Sequence, residues 1–391
     1  MYIEHTLSDF RTEEHIHFPG EHGSYSYYRV EKQNTPIARV REAMAMQLGV
    51  TPSAVVFPIF KDIAPAGVHY ASVRKQGPAH FQGQGFVAHC VQQGPRALRM
   101  KDLNGNRFTI TVRHLSKTEV SALKSTMQTL ATSGLPNYYD DRRFDSLTGE
   151  GFIGKAILKG NAEKTVRFYL AEPMRGDSKS LREFKSLVKS HWGQWGYLLH
   201  QAPRPSNFRS VITYLKDHPH DYAKATNRIR DHRLSAYLLT YQCWVWNRVL
   251  ARYLEKKTSI AADIKIAGTR FPLPTPGQQE KSLRKLTIEL PRLTSHYQGD
   301  IADAVQAVLK KEEMTLSDFN VRLVQRVCLT KDQRSAWFAP VNVIVGEPVV
   351  DANAPKYWAV PVKFTLPPRH YATLVMKTAA ARIGTTIEIA P

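Results

Sequence analysis

Two stretches of strict alternation stand far apart in this chain with a helical block between them, and that ordering limits the possible folds more than any other feature. Phe108, Ile110 and Val112 alternate with Thr109, Thr111 and Arg113, the period-two pattern of a half-buried strand. Trp358, Val360, Val362 and Phe364 repeat the pattern before Pro367-Pro368 breaks it. A strand buries its apolar face only beside other elements, so the simplest arrangement is one sheet completed by the C-terminal strand, with a second domain inserted into it. The expected fold is mixed α/β (α+β), with a mixed or antiparallel sheet. The expected domains are 1–150 plus 334–391 for the first and 151–333 for the inserted one.

Local signals fill in this frame. Thr35-Pro36 reads as an N-cap with proline at the first helical position, and Val40, Ala43, Met44 and Ala45 give the helix an apolar side until Gly49. Asn104-Gly105 signals a hairpin turn. Ser116 to Glu119 is a capping box before a helix whose Val120, Leu123, Met127 and Leu130 share a face, and Gly134 ends it. Helices are expected over 182–193, 233–254, 301–311, 316–328 and 371–381. The stretch 268–279, with Pro272, Pro274 and Pro276, is expected to be a loop. Tyr237, Tyr241, Trp244 and Trp246 are expected in the core of the inserted domain.

At 391 residues the chain suits two domains. Its 54 Lys and Arg against 34 Asp and Glu give a formal net charge of +20, which favours a polyanionic partner because neutralised phosphates release condensed counterions. No apolar run approaches the roughly 18 residues of a spanning helix. Glu4, His5 and Asp9 interrupt the start of the chain where a signal peptide needs an apolar run, so a cytoplasmic location is expected. Cys90, Cys243 and Cys328 are too sparse and scattered for a disulfide framework or a zinc site. His15-x-His17 and His218-x-His220 have ligand-like spacing, but no cysteine or second pair completes either set. No metal is expected. Gly83-x-Gly85 lacks the third glycine of a dinucleotide loop.

Several short segments, in order along the chain, together resemble the TruD family of pseudouridine synthases. Asp9-Phe10-Arg11-Thr12-Glu13-Glu14 is similar to D-F-x-V-x-E, and Lys32-Gln33-Asn34-Thr35 resembles the element that opens the first helix. Lys61-Asp62 lies in a stretch similar to G-x-K-D-x-x-A-V-T-x-Q-W. Gly105-Asn106-Arg107-Phe108 matches G-N-x-F. Residues 134–139 with Arg143-Phe144 resemble G-x-P-N-Y-F-G-x-Q-R-F-G, residues 233–247 resemble the start of the inserted domain, and 366–373 resemble L-P-x-G-S-Y-A-T. The departures gather around the same segments. Thr12 stands for valine, Tyr25 for histidine and Ile59 for glycine, while Gly67, His69 and Tyr70 stand for threonine, glutamine and tryptophan. Asp140, Arg142 and Asp145 replace glycine, glutamine and glycine.

The resemblance implies a pseudouridine synthase catalytic domain with an inserted TRUD domain. It also implies an isomerase that converts a uridine of tRNA, uridine-13 near the D arm, to pseudouridine. The reaction breaks the N1–C1′ bond, turns the uracil and joins C5 to C1′, so it needs neither redox change nor cofactor. Asp62 would be the carboxylate that attacks the sugar. The flipped base would stack on Phe108, and Asn106 could hydrogen-bond either Asp62 or the base edge. Glu14 would stand near the site, while Lys61 or Arg143 would offset the charge of Asp62 or bind phosphate. By their own spacing alone, Phe108 could equally be a core strand residue and Asn106 a turn residue. Lys179, Arg182, Lys185, Lys189, Arg204 and Arg209 form a basic cluster that could contact phosphates. The expected partner is tRNA or another structured RNA, met by a monomer without a membrane. Two alternatives remain: a catalytically impaired RNA-binding relative, and a metal-dependent nuclease using scattered Asp, Glu and His.

Overall fold

Alternation in 103–115 does produce a strand, and it is the spine of the first of two compact units. The computed structural model describes residues 1–4, 6–59, 65–204, 206–277 and 280–390. Contacts divide the chain into Met1–Leu135 with Phe338–Pro391, and Pro136–Trp337. In the first unit the main strands are β1 (Phe10–Ile16), β2 (Tyr25–Gln33), β3 (Ala66–Val73), β4 (His80–Gly83), β5 (Phe86–Gly94), β6 (Leu103–Leu115), β7 (Val341–Val345) and β8 (Trp358–Leu366). Their order across the sheet is β7-β8-β6-β1-β3-β2-β5-β4. The β1–β3 pairing is parallel and β6 pairs antiparallel with both β1 and β8, so the sheet is mixed. Strand β8 therefore lies one place in from the edge of the sheet, with Phe364 opposite Phe108 and Leu366 opposite Asn106.

Among the described residues this unit has three α-helices: α1 (Ile37–Leu48), α2 (Lys117–Ser133) and α3 (Ala372–Ile383). Helix α1 starts one residue later than its signal suggests. Pro36 is the N-cap, and the Thr35 hydroxyl donates instead to the carbonyl of Gln33. Its inward residues Ile37, Val40, Met44, Ala45 and Leu48 form a core with Tyr28, Val30, Ala71, Phe81 and Phe86. Gly49 ends it in the left-handed conformation at φ 63°. The capping box of α2 forms as read, the Ser116 Oγ accepting from the Glu119 N–H and Glu119 accepting from the Ser116 N–H.

The Asn104-Gly105 hairpin does not form, because both residues lie inside β6. Gly105 is there for close approach: a Cβ on it would stand 2.6 Å from the carbonyl oxygen of Leu366 on β8.

In the second unit the helix Asp231–Lys257 buries Tyr237, Tyr241, Trp244 and Trp246. Residues 136–150, expected with the first domain, fold here because their aromatic side chains need this helix. Tyr139 packs edge-on to Trp246 at 5.5 Å and Phe144 to Trp244 at 5.6 Å. The Asn247 side chain also takes up both backbone groups of Tyr139. Two other expectations fail. Much of 268–279 is strand: Thr269–Pro274 pairs with Ile260–Ile266, and prolines are tolerated there because a two-stranded ribbon leaves outward N–H positions unused. The stretch 316–328 holds only a short 3-10 turn, Leu316–Asp318. Its Phe319 leaves the helical path to stack on Tyr241 at 6.1 Å.

Candidate active site

Register determines which side chains share a face of the sheet, and here it gathers most of the residues singled out in the sequence. Glu14 on β1 lies opposite Asn106 on β6, and Thr12 lies opposite both Phe108 on β6 and Gly67 on β3. Cross-strand partners project to the same side, and His69, two residues beyond Gly67, returns to that side. Lys32 on β2 stands opposite Gly67. One buried patch across four neighbouring strands thus holds Thr12, Glu14, Lys32, Gly67, His69, Asn106 and Phe108. The opposite face carries exposed or half-exposed ion pairs, such as Glu13 with Arg107 at 3.8 Å and Glu31 with Arg29.

The patch is polar but deeply seated. Glu14 and Asn106 are 3% and 4% exposed, and His69 is fully buried. The Glu14 carboxylate accepts the backbone N–H of Tyr70 at 3.0 Å on one oxygen and faces His69 Nδ1 at 2.8 Å on the other. Three buried polar atoms of the patch make no hydrogen bond: Thr12 Oγ1, Asn106 Oδ1 and His69 Nε2. Leaving such atoms unmade costs roughly 1 to 3 kcal/mol each, so their gathering on one patch marks it as a place for polar contact with something other than the fold. Phe108 is 2% exposed, held edge-on to Phe10 at 6.3 Å and tilted against Phe364 at 5.8 Å. It sits as an apolar core residue beside the polar groups, deeper than a surface platform for a base.

Asp62 and Lys61 lie outside the described residues. The chain after them is anchored at the patch, where the Asn34 N–H donates to the Pro65 carbonyl at 2.8 Å. Asn34 adopts a positive φ of 46° to do so, which explains the asparagine of the Lys32–Thr35 segment. Asp9 also serves the structure, since with Asp351 it clasps Arg113 in a buried ion triad. Burial alone would raise the Asp351 pKa, but the N–H groups of His114 and Asn353 and the Arg113 guanidinium outweigh it and hold the carboxyl below its ordinary value.

Arg143 belongs to the second unit, half-buried with its guanidinium over the Tyr139 ring at 5.8 Å. The expected basic cluster is partly spent on structure. Lys185 is buried against Asp177 at 2.8 Å, Lys189 pairs with Glu172 at 2.9 Å, and Arg209 donates to the carbonyls of Leu199 and Ala202. Desolvation lowers the Lys185 pKa despite the attraction of Asp177. Lys179 and Arg204 remain exposed. Sequence reasoning did not place His69, Thr12 and Lys32 in the site. His69 and Thr12 were visible only as departures from a pattern, and Lys32 only as part of a segment. Among the described residues no cluster of three or more His, Cys, Asp or Glu could hold a metal ion, and no helix is long and apolar enough to cross a membrane.

Known proteins give this geometry a context. The TruD family, described as tRNA pseudouridine synthase D, matches residues 1–270. "Probable tRNA pseudouridine synthase D 1" of Methanococcus maripaludis is 26% identical over 96% of this chain and 98% of its own length. "Probable tRNA pseudouridine synthase D 2" of Methanocaldococcus jannaschii is 24% identical over 98% of this chain and 93% of its own. A crystal structure of the TruD protein from Methanosarcina mazei superposes with a TM-score of 0.72 at 21% identity, covering 95% of this chain and 91% of that one, a likeness of fold. With the family matched over more than half the chain and the mixed sheet in place, this protein belongs to the TruD family of tRNA pseudouridine synthases, which are isomerases.

Proposed function

We propose that this protein isomerises a uridine in the D-arm region of tRNA, uridine-13, to pseudouridine, with Asp62 as the nucleophile. The observation that carries the proposal is the buried patch on β1, β3 and β6, where Glu14, Asn106, Thr12 and His69 meet beside Phe108. In this reading the target nucleotide leaves its stack and the uracil edge meets the unbonded polar atoms. Phe108 forms the apolar wall that its ring reaches. Asp62 attacks C1′ as the N1–C1′ bond breaks, the uracil turns, and C5 bonds to C1′ as the carboxylate departs. The C5 proton then passes to solvent and N1 takes one up, so that the product is an isomer of the substrate. No cofactor or metal takes part.

The first unit supplies the chemistry and the second, as the TRUD domain, grips RNA. Lys61, Arg143 and the exposed Lys179 and Arg204 contact phosphates, which position RNA without reading its sequence. The enzyme acts as a monomer in the cytoplasm. Incubation with unmodified tRNA followed by chemical mapping of pseudouridine tests the proposal, with Asp62→Asn as control. RNA binding without pseudouridine at any position would instead establish the catalytically impaired relative.

A further inference from the structure

Helix Asp231–Lys257 buries its aromatic residues and carries Arg248, Arg252 and Glu255 on another side at helical spacing. With Arg270 of the strand Thr269–Pro274, and with Lys311 and Glu312 at the end of helix Gly299–Lys311, they line a cavity of about 340 Å³ within the second unit.

Four cations thus meet two carboxylates, and the carboxylates fall short of balancing them. Glu312 is engaged elsewhere. Its oxygens accept from Trp244 Nε1 and the Tyr241 hydroxyl, each at 3.3 Å, and pair with Lys155 at 3.2 Å. Glu255 meets Arg252 at 3.6 Å with both side chains well exposed, a pairing that water screens. Arg270 reaches Asp263 at 3.8 Å, again in solvent. Among the described residues Arg248 and Lys311 have no carboxylate within ion-pair distance. Lysines one turn farther along the same helix are treated differently. Lys256 pairs with Asp300 at 3.0 Å and Asp303 at 2.9 Å, and Lys257 pairs with Asp300 at 2.5 Å. The fold supplies carboxylates at the helix end and withholds them from the cleft. Arg248 and Arg252, one turn apart, repel each other, so their convergence with Arg270 and Lys311 strains the empty cleft and favours an anion in it.

We propose that this cleft binds the sugar–phosphate backbone of the tRNA, with Arg248, Arg252, Arg270 and Lys311 as its phosphate contacts. This rests on the function proposed above and names where the second unit holds that substrate. Three of the four cations are arginines, whose planar fork matches two phosphate oxygens at once. Arg252, Arg270 and Lys311 are exposed, so a strand lying over the cleft reaches them directly. Contacts of this kind set the register of the RNA and leave its bases unread.

Filter binding of full-length unmodified tRNA over a range of salt tests this on the intact protein. Arg248→Gln with Lys311→Gln removes the two cations that lack carboxylates. Two lost phosphate contacts should reduce the slope of log affinity against log salt by about two, and weaken binding roughly fiftyfold near 100 mM salt. Arg252→Gln with Arg270→Gln, both exposed, should act in the same direction, and carries the test if the half-buried Arg248 is needed for folding. Lys256→Gln with Lys257→Gln removes the same net charge from lysines already paired, and should leave the slope nearly unchanged. An unaltered slope in either cleft pair that folds, or an equal loss in the Lys256 and Lys257 pair, overturns the proposal. Titration with inorganic phosphate separates a free anion from RNA: saturable phosphate binding that the cleft variants lose, with tRNA affinity intact, also overturns it. Pseudouridine formation by the unaltered protein is scored separately. Its absence beside a reduced slope in the variants would sink the isomerase reading and keep the cleft, and its presence beside an unchanged slope would do the reverse.

Discussion

Arg113 shows how much of this fold rests on single side chains. Its guanidinium is almost enclosed between Asp9 and Asp351, both buried. Arg113→Met would leave two carboxylates without their cation, and breaking a buried pair in this way costs about 3 to 5 kcal/mol. Urea denaturation should show the loss as a lower midpoint. The same triad makes stability depend on acid. Because the Asp351 carboxyl is held below its ordinary value, its contribution is present above the unfolded-state value, about 3.9. It disappears as pH falls through the depressed folded value. Asp351→Asn should flatten that part of the stability profile below about pH 4. A different outcome is expected at Thr12, whose hydroxyl is buried without a partner. Thr12→Val removes an unpaired polar group at constant shape, so thermal stability should hold or rise by about 1 kcal/mol. A fall would mean the hydroxyl is bonded within the fold.

Elements were legible where the controlling interactions were local. The Ser116–Glu119 capping box and the alternations of β6 and β8 act within a few residues, and all three took their expected form. Gly105 looked like half of a turn because an asparagine-glycine pair is a strong local signal. Its reason, the Leu366 carbonyl 261 positions away, exists only after β6 and β8 have paired. Gly105→Ala should therefore force those strands apart and destabilise the first unit by about 1 to 3 kcal/mol, as overpacking does. A thermal melt of the variant checks it. The strand at 269–274 and the failed helix at 316–328 have the same origin, since a pairing partner and an aromatic stack decide both. The site follows this division too. Glu14, Asn106 and Phe108 were named through motif resemblance, whereas the Glu14–His69 contact joins residues 55 positions apart that no local pattern links.

Across the whole molecule, a surplus of 20 positive charges opposes compaction and favours a polyanionic partner. Some of the basic side chains are already committed: Lys185 and Arg209 stabilise the second unit. The remainder predicts tRNA affinity that falls steeply with salt, by about a thousandfold between roughly 50 and 200 mM if six phosphates are neutralised. Filter binding across that range measures the slope, and a flat response would show that phosphate neutralisation does not drive binding. Catalysis by the carboxylate that follows Lys61 is tested directly by chemical mapping of pseudouridine on tRNA treated with matched amounts of the unaltered protein and Asp62→Asn. One modified uridine in the D-arm region is expected with the unaltered protein and none with the variant, while both bind tRNA alike. Equal pseudouridine from the two proteins would contradict a nucleophilic Asp62.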